Sequence, residues 1–236
     1  DAFGSGSRFN TCFHVRTGST RFLIDCGATS MVAIKRAELE QNPIRTIFVT
    51  HFHGDHFGGV PYFVLNAQFF TSRTERLTIV GPEGLADWYE RVMEATFPGS
   101  ATAERRFEIE LIEIGPGEAL EIGGVEALAV PVKHGPPGFP CLAYRLTVDG
   151  KTIAYTGDTE WVDELIDIGR GADLLIAEAY TYERKTPFHL DLATLEAKLP
   201  EIAPRRLILT HMTADMLKRA KGLPHETAGD GKRVVI

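Results

Sequence analysis

The string Thr50-His51-Phe52-His53-Gly54-Asp55-His56 places three imidazoles and a carboxylate directly after the apolar run Ile47-Phe48-Val49. Imidazole nitrogen and carboxylate oxygen are together the donors that zinc, manganese or iron accepts as a divalent ion. His51 and His53 have strand spacing and can point the same way, and Gly54 is expected to permit a sharp turn that swings Asp55 and His56 back toward them. The bland alternative, a His-rich loop capping a helix, does not explain such a density of ligands. The set suits two adjacent cations better than one, and two cations need more ligands than these four.

The rest of the chain offers them in one repeated context, an apolar run that ends in a ligand. Ala127-Leu128-Ala129-Val130-Pro131-Val132 leads through Lys133 to His134, Ile153-Ala154-Tyr155-Thr156 leads through Gly157 to Asp158, and Leu207-Ile208-Leu209-Thr210 leads to His211. Taken singly, these would be a surface or core histidine, a turn aspartate and a helix-start histidine. Taken with the first string, they make four strands that deliver ligands at their C-terminal ends, where sites on open α/β sheets tend to sit.

The elements that must position these groups alternate short β-branched runs with helical stretches. Strands are expected at Phe9 to Val15, Arg21 to Asp25, Thr46 to Thr50, Leu77 to Val80, Phe107 to Glu113, Val125 to Val132, Leu142 to Val148, Thr152 to Thr156, Leu174 to Ala177 and Arg206 to Thr210. Turn residues separate several of them, and Asp149-Gly150 between two such runs is a strong hairpin signal. Helices are expected at Ser30 to Glu40, Gly59 to Asn66, Pro82 to Ala95, Val162 to Ile168 and Leu192 to Ile202. The last carries the apolar stripe Leu192, Leu195, Leu199, Ile202, with Asp191 as its N-cap. Hairpins and helices together imply mixed sheets with helical cover.

With 236 residues, 44% hydrophobic and 24% charged, the chain reads as one globular α/β domain. A net charge of -7 and a pI near 5.6 leave no broad basic footprint, so long nucleic acids are a poor first partner and a small-molecule substrate is expected. Cys12, Cys26 and Cys141 are odd in number and widely spaced, which supports neither a disulfide framework nor a cysteine zinc knuckle. A reducing cytoplasmic setting fits. No run of about 18 apolar residues suggests a membrane span, and no basic-then-apolar leader opens the chain. A homodimer is an expectation that no sequence feature decides.

His51-x-His53-x-Asp55-His56, followed by His134, Gly157-Asp158-Thr159 and His211 in that order, resembles the metallo-β-lactamase superfamily over almost the whole chain. The resemblance implies a four-layer αβ/βα sandwich of two mixed β-sheets flanked by helices, spanning 1-236 as a single domain with a dinuclear metal site. By motif position, His51, His53 and His134 would hold one metal, Asp55, His56 and His211 the other, and Asp158 would bridge. Zinc is the first choice for both ions, with manganese or iron as alternatives. Phe22-Leu23-Ile24-Asp25-Cys26-Gly27 resembles the family's strand-Asp-x-Gly element behind the histidine loop, which makes Asp25 a candidate for orienting a ligand histidine. Asp1 to Gly6 resembles the glycine-rich loop that follows the first strand of this fold, so that strand is expected to be missing from the N-terminus.

A bridging-type Asp158 argues against the true β-lactamases, and His53, where the flavodiiron branch carries glutamate, argues against redox chemistry. His189-Leu190-Asp191-Leu192-Ala193-Thr194-Leu195 and Pro204-Arg205-Arg206-Leu207-Ile208-Leu209-Thr210-His211 resemble the PhnP-like cyclic phosphodiesterases and, more loosely, the tRNA 3′-processing ribonuclease Z group. In those groups a histidine at the place of His189 assists catalysis beside the metals, and Glu178 in Leu174-Leu175-Ile176-Ala177-Glu178-Ala179 is placed to orient it. The structural cysteine cluster of the phosphonate enzyme and the long glycine-rich arm of ribonuclease Z are both absent. The implied chemistry is a bridging hydroxide attacking a small or cyclic phosphodiester, with Asp55 and Asp158 fixing the metals and accepting the proton. Thioester or lactone hydrolysis on the same ligands is the alternative. A tRNA 3′-processing endoribonuclease, a β-lactamase and a non-catalytic binding module follow behind it.

Overall fold

Five strands pair in sequence order within Phe9–Ile114, the first of two units into which the chain divides. The computed structural model describes all residues from Asp1 to Ile236. Strand β1 (Phe13–Arg16) runs antiparallel to β2 (Arg21–Ile24), and β3 (Thr46–Phe48), β4 (Leu77–Gly81) and β5 (Ile109–Glu113) continue parallel to β2. Strands β3 and β4 are buried at every residue, which is what parallel strands covered on both faces require of β-branched and aromatic side chains. Helices α1 (Ser30–Arg36), α2 (Gly54–Phe57), α3 (Val60–Phe69) and α4 (Leu85–Thr96) supply the cover. In α4, Leu85, Tyr89 and Met93 repeat at four-residue spacing and face a core that includes Leu23, Ile47, Val49, Phe57, Val64 and Ile79. Each such aliphatic or aromatic side chain contributes about 1.5–3 kcal/mol when fully withdrawn from water.

The second unit joins Asp1–Arg8 to Gly115–Ile236. Its strands β6 (Ala119–Ile122), β7 (Val125–Pro131), β8 (Leu142–Val148), β9 (Lys151–Tyr155), β10 (Leu174–Glu178), β11 (Leu207–Thr210) and β12 (Glu226–Thr227) form one sheet in the order β12-β11-β10-β9-β8-β7-β6. The four strands from β9 to β12 are mutually parallel, and those from β6 to β9 are antiparallel. Two reversals separate β7 from β9, so β7, β9, β10 and β11 all run the same way and end on one edge. Asp149 and Gly150 both have positive φ, 48° and 74°, as a two-residue hairpin between β8 and β9 demands. Helices α5 (Glu164–Gly169), α6 (Leu192–Ile202) and α7 (Ala214–Ala220) complete the unit. Asp191 caps α6 by accepting from the Thr194 amide at 2.9 Å, and Leu192, Leu195 and Ile202 bury the helix against Leu175, Ala177 and Leu209.

The mixed sheets with helical cover expected from the sequence are present, and β8 and α6 have the expected ends. Some boundaries differ. The first strand begins at Phe13 rather than Phe9, and α1 stops at Arg36 rather than Glu40. The short α2, β6, α7 and β12 were not anticipated.

Candidate metal centre

In the first unit the ligand string leaves β3 and enters α2, with His53 at the N-cap of that helix. Gly54 is not the sharp turn expected of it: it has no positive φ and sits at the first helical position, with open space where a Cβ would be. One turn of α-helix therefore brings Asp55 and His56 round, and the glycine that matters is Gly27. A Cβ there would lie 2.1 Å from the Asp55 carbonyl oxygen, so the chain after β2 can lie against the histidine loop only without a side chain. The two segments are joined by the Cys26 amide donating to the His56 carbonyl at 2.7 Å and the Ala28 amide to that of Gly54 at 3.1 Å.

Asp25 is the anchor of this cluster. Fully buried and at φ 58°, it accepts from the Thr50 amide at 2.8 Å, from the Thr50 hydroxyl at 3.0 Å, and from His56 Nδ1 at 2.7 Å. Burial pushes its carboxyl up, and His56 with the Thr50 donors pulls the other way. These bonds settle where the protons are in the neutral rings. A carboxylate only accepts, so His56 carries its proton on Nδ1 and turns the Nε2 lone pair toward Asp55 Oδ2, 3.4 Å away. The Thr50 hydroxyl spends its one proton on Asp25 and so accepts from His51 Nδ1 at 3.0 Å. His51 Nε2, also left with a lone pair, faces His53 Nδ1 at 3.1 Å. The His51 and His56 rings lie 4.2 Å apart between centroids.

In the second unit the aligned C-terminal ends of β7, β9, β10 and β11 bring His134, Asp158, Glu178 and His211 to one edge. Donor atoms of Asp158, Glu178, His189 and His211 lie within 4.8 Å of one another. Glu178, fully buried as the last residue of β10, is the hub. Its Oε1 accepts from His189 Nδ1 at 2.6 Å and His211 Nδ1 at 3.0 Å, and its Oε2 from the amides of Thr159 at 2.9 Å and Leu190 at 3.0 Å. The same proton accounting gives His211 an Nε2 lone pair directed at Asp158 Oδ2, 3.0 Å away. His134 donates Nδ1–H to the Phe188 carbonyl at 2.7 Å, leaving Nε2 3.8 Å from Asp158 Oδ2. Tyr180 stacks on His189 with centroids 3.9 Å apart. His211 and Phe188 both hold positive φ, 52° and 67°.

In each unit, then, with the rings neutral, ring nitrogens and carboxylate oxygens approach one another with acceptor toward acceptor. That arrangement is repulsive between the groups themselves and favourable around a cation, so the donor set fits divalent metal ions. Each candidate histidine with an acceptor on its Nδ1 is, as a neutral ring, in the tautomer that coordinates through Nε2. Burial pushes the Cys12 thiol up to about 12 and the Cys26 thiol well above its ordinary value, so neither supplies a thiolate near neutral pH. No helix is long and apolar enough to cross a membrane.

Every candidate metal-ligating or catalytic residue named from the sequence lies in one of these two clusters. Missing from the sequence reading were Thr50 as a bridge between Asp25 and His51, the backbone carbonyl of Phe188, and the stacked Tyr180. Thr50 adjoined the histidine string and its hydroxyl was a usable signal, whereas a carbonyl that any residue carries leaves no mark in a sequence.

A family model described as a beta-lactamase superfamily domain matches residues 20–212. Ribonuclease Z of Agathobacter rectalis is 37% identical over 132 residues, an alignment that spans 54% of this chain but only 40% of that enzyme. Ribonuclease Z of Methanosarcina mazei is 24% identical over 246 residues, covering 81% of this chain and 78% of the enzyme. A solved structure of a diphosphatase from the PhnP family superposes with a TM-score of 0.77 at 22% identity, covering 100% of this chain and 88% of that one, a likeness of fold. The family match takes in every histidine and carboxylate of both clusters, from Asp25 to His211, and the chain belongs to the metallo-β-lactamase superfamily as a metal-dependent hydrolase.

Proposed function

We propose that residues 1–236 act as one domain that hydrolyses a small or cyclic phosphodiester with two divalent metal ions, zinc before manganese or iron. His51, His53, Asp55, His56, His134, Asp158 and His211 would hold the ions. The bound ions would supply Lewis acidity, lowering the pKa of water and stabilising charge on phosphoryl oxygens.

The chain's own residues provide the rest. Asp55, whose side chain is 15% exposed while that of Asp25 is fully buried, accepts the proton of the attacking water. His189 holds its Nδ1 proton against Glu178, so Nε2 is the atom that exchanges a proton with the leaving oxygen. Glu178 stabilises the imidazolium whenever that ring is charged. Tyr180 keeps the ring from rotating away. The observation that carries the phosphodiester reading is this buried carboxylate 2.6 Å from His189, because an oriented acid is what a poor alkoxide leaving group needs.

A second reading, RNA as the substrate, is favoured by the relatives named ribonuclease Z. The net charge of -7 weighs toward the smaller ester. Purified protein analysed for metals and assayed on bis(4-nitrophenyl) phosphate tests the proposal. Asp158→Ala and His56→Ala should each abolish metal-stimulated turnover, and a folded variant turning over like wild type would refute the ligand assignment. Activity confined to a glutathione thioester, an acyl lactone or a precursor RNA would replace the substrate class and leave the metal chemistry in place.

A further inference from the structure

Glu160 touches the backbone of two loops besides its own, and all three carry residues of the second cluster. It lies two residues after Asp158. Its amide donates to the Lys133 carbonyl at 2.9 Å, and its Oε2 meets Lys133 Nζ at 2.7 Å. Lys133 immediately precedes His134, and the Lys133 amide is itself held by the Thr159 hydroxyl at 3.0 Å. The other carboxylate oxygen of Glu160 accepts from the Phe188 amide at 2.8 Å, and Phe188 immediately precedes His189.

The Phe188 peptide needs such a restraint. Phe188 sits at φ 67°, in the left-handed region that a bulky L residue rarely adopts. Its carbonyl is the acceptor for His134 Nδ1–H at 2.7 Å. The following amide, that of His189, donates back to the Thr186 carbonyl at 3.1 Å. Released from Glu160, Phe188 relaxes toward negative φ, and that rotation about its N–Cα bond shifts the following peptide, whose carbonyl His134 uses, away from the imidazole.

We infer that Glu160 is a positioning residue: it holds Phe188 in its left-handed conformation and thereby fixes His134 in the Nδ1–H tautomer, the one that coordinates through Nε2. An exposed Lys–Glu pair by itself contributes little, so the working bond is the one to the Phe188 amide, and the Lys133 contact aims the carboxylate. Only the metal-affinity part of the inference rests on the function proposed above, because the tautomer is a property of the metal-free protein.

The test uses the full chain, labelled with ¹⁵N at histidine and freed of metal, with long-range ¹H–¹⁵N correlation spectra at pH 8. Wild type should show His134 as a single Nδ1–H tautomer. Glu160→Ala should give a mixture and weaken zinc binding by about tenfold, the lower end of the range for removal of groups that orient a metal ligand. Glu160→Gln keeps an oxygen for the Phe188 amide and loses the ion pair, and it should retain the wild-type tautomer. The Glu160 side chain is 29% exposed, so neither variant leaves a buried unpaired group, and matching melting temperatures would confirm an intact fold. An unchanged tautomer in Glu160→Ala, or a Glu160→Gln spectrum identical to that of the alanine variant, overturns the inference. Failure of wild type to bind zinc would count against the proposed function and leave the tautomer result decisive for Glu160.

Discussion

Glu178→Gln isolates the proton accounting at the centre of the second cluster. The native carboxylate offers two oxygens to four donors, two imidazole N–H groups on one side and two backbone amides on the other. Glutamine replaces one oxygen with an NH2 group, and the two sides respond differently. The amides of Thr159 and Leu190 have no other protonation state, so the remaining oxygen must turn to them. The NH2 group then confronts His189 and His211, each of which can accept from it only by moving its proton to Nε2. For metal-free protein that exchange is cheap, because every donor finds an acceptor again, and the melting temperature should move by about 2–4 °C at most, the equivalent of about 1 kcal/mol in a chain of this size. For metal binding it is costly. His211 Nε2 must recover its lone pair, which restores two opposed donors in a buried site and forfeits a charge-assisted hydrogen bond, about 1.5–3 kcal/mol. At about 1.4 kcal/mol per decade this is about 10- to 100-fold in zinc affinity. Turnover of a phosphodiester at saturating metal should fall by about 10²-fold or more, since His189 also loses the carboxylate that supports its charged form. Competition titration with a chromophoric chelator, circular dichroism melting and steady-state rates measure the three quantities. Zinc affinity within threefold of wild type, or a loss of affinity that merely tracks a large loss of stability, would refute this reasoning.

Three further outcomes follow from the same geometry. Gly27→Ala places a methyl 2.1 Å from the Asp55 carbonyl oxygen and 2.5 Å from Asn10 Cβ, so one segment must shift; denaturant unfolding should register a loss at or above the roughly 1–3 kcal/mol usual for overpacking. Thr50→Val keeps the shape of the side chain but removes the hydroxyl between Asp25 and His51, and it should weaken zinc binding while Thr50→Ser retains it, both read by the same chelator titration. At the start of α6, Asp191→Ala should cost about 1 kcal/mol by removing the cap on the Thr194 amide. There burial raises the Asp191 carboxyl, but Lys185 and the Thr194 donors outweigh it and the net position is below the ordinary value. A group lowered in the folded state stabilises the protein fully above its unfolded pKa of about 3.9 and loses that contribution as pH falls through the folded value. Asp191→Asn, which still caps, should therefore trail wild type in urea midpoint at pH 6 and close the gap on approach to pH 3.

The candidate metal centre was legible in the sequence because its donor groups are side chains of rare types at strand ends, and strands such as β8 announce themselves through β-branched and aromatic runs bounded by turn residues. It was less informative where the determinant is not a side-chain type. Gly54 was read as the turn that folds the histidine string back, but its conformation is helical and any residue could adopt it. The glycine under real constraint is Gly27, distant in sequence from the carbonyl it must clear. Strand β6 was missed although Gly123-Gly124 marks its hairpin, since alternation over the four residues Ala119–Ile122 is too short to stand out. The Phe188 carbonyl could not be foreseen at all, because its role depends on a backbone angle and not on phenylalanine.

The two units solve one problem in the same way. A histidine that is to coordinate through Nε2 must have its other nitrogen occupied by an acceptor, and an acceptor strong enough to fix the tautomer is itself expensive to bury. In the first unit the acceptor is Asp25 and in the second Glu178, both wholly withdrawn from water. Each offsets that cost with backbone amides, Thr50 for Asp25 and Thr159 with Leu190 for Glu178, which are donors the fold must satisfy in any case. Because those amides belong to the ends of the same strands and loops that carry the ligands, each unit orients its own histidines through bonds internal to itself. If local folding rather than metal capture sets the orientation of these rings, the tautomers of His56 and His211 should be the same in metal-free protein as in loaded protein. A metal-free spectrum in which either ring is predominantly protonated on Nε2 would show that the ion, and not the carboxylate, imposes the order.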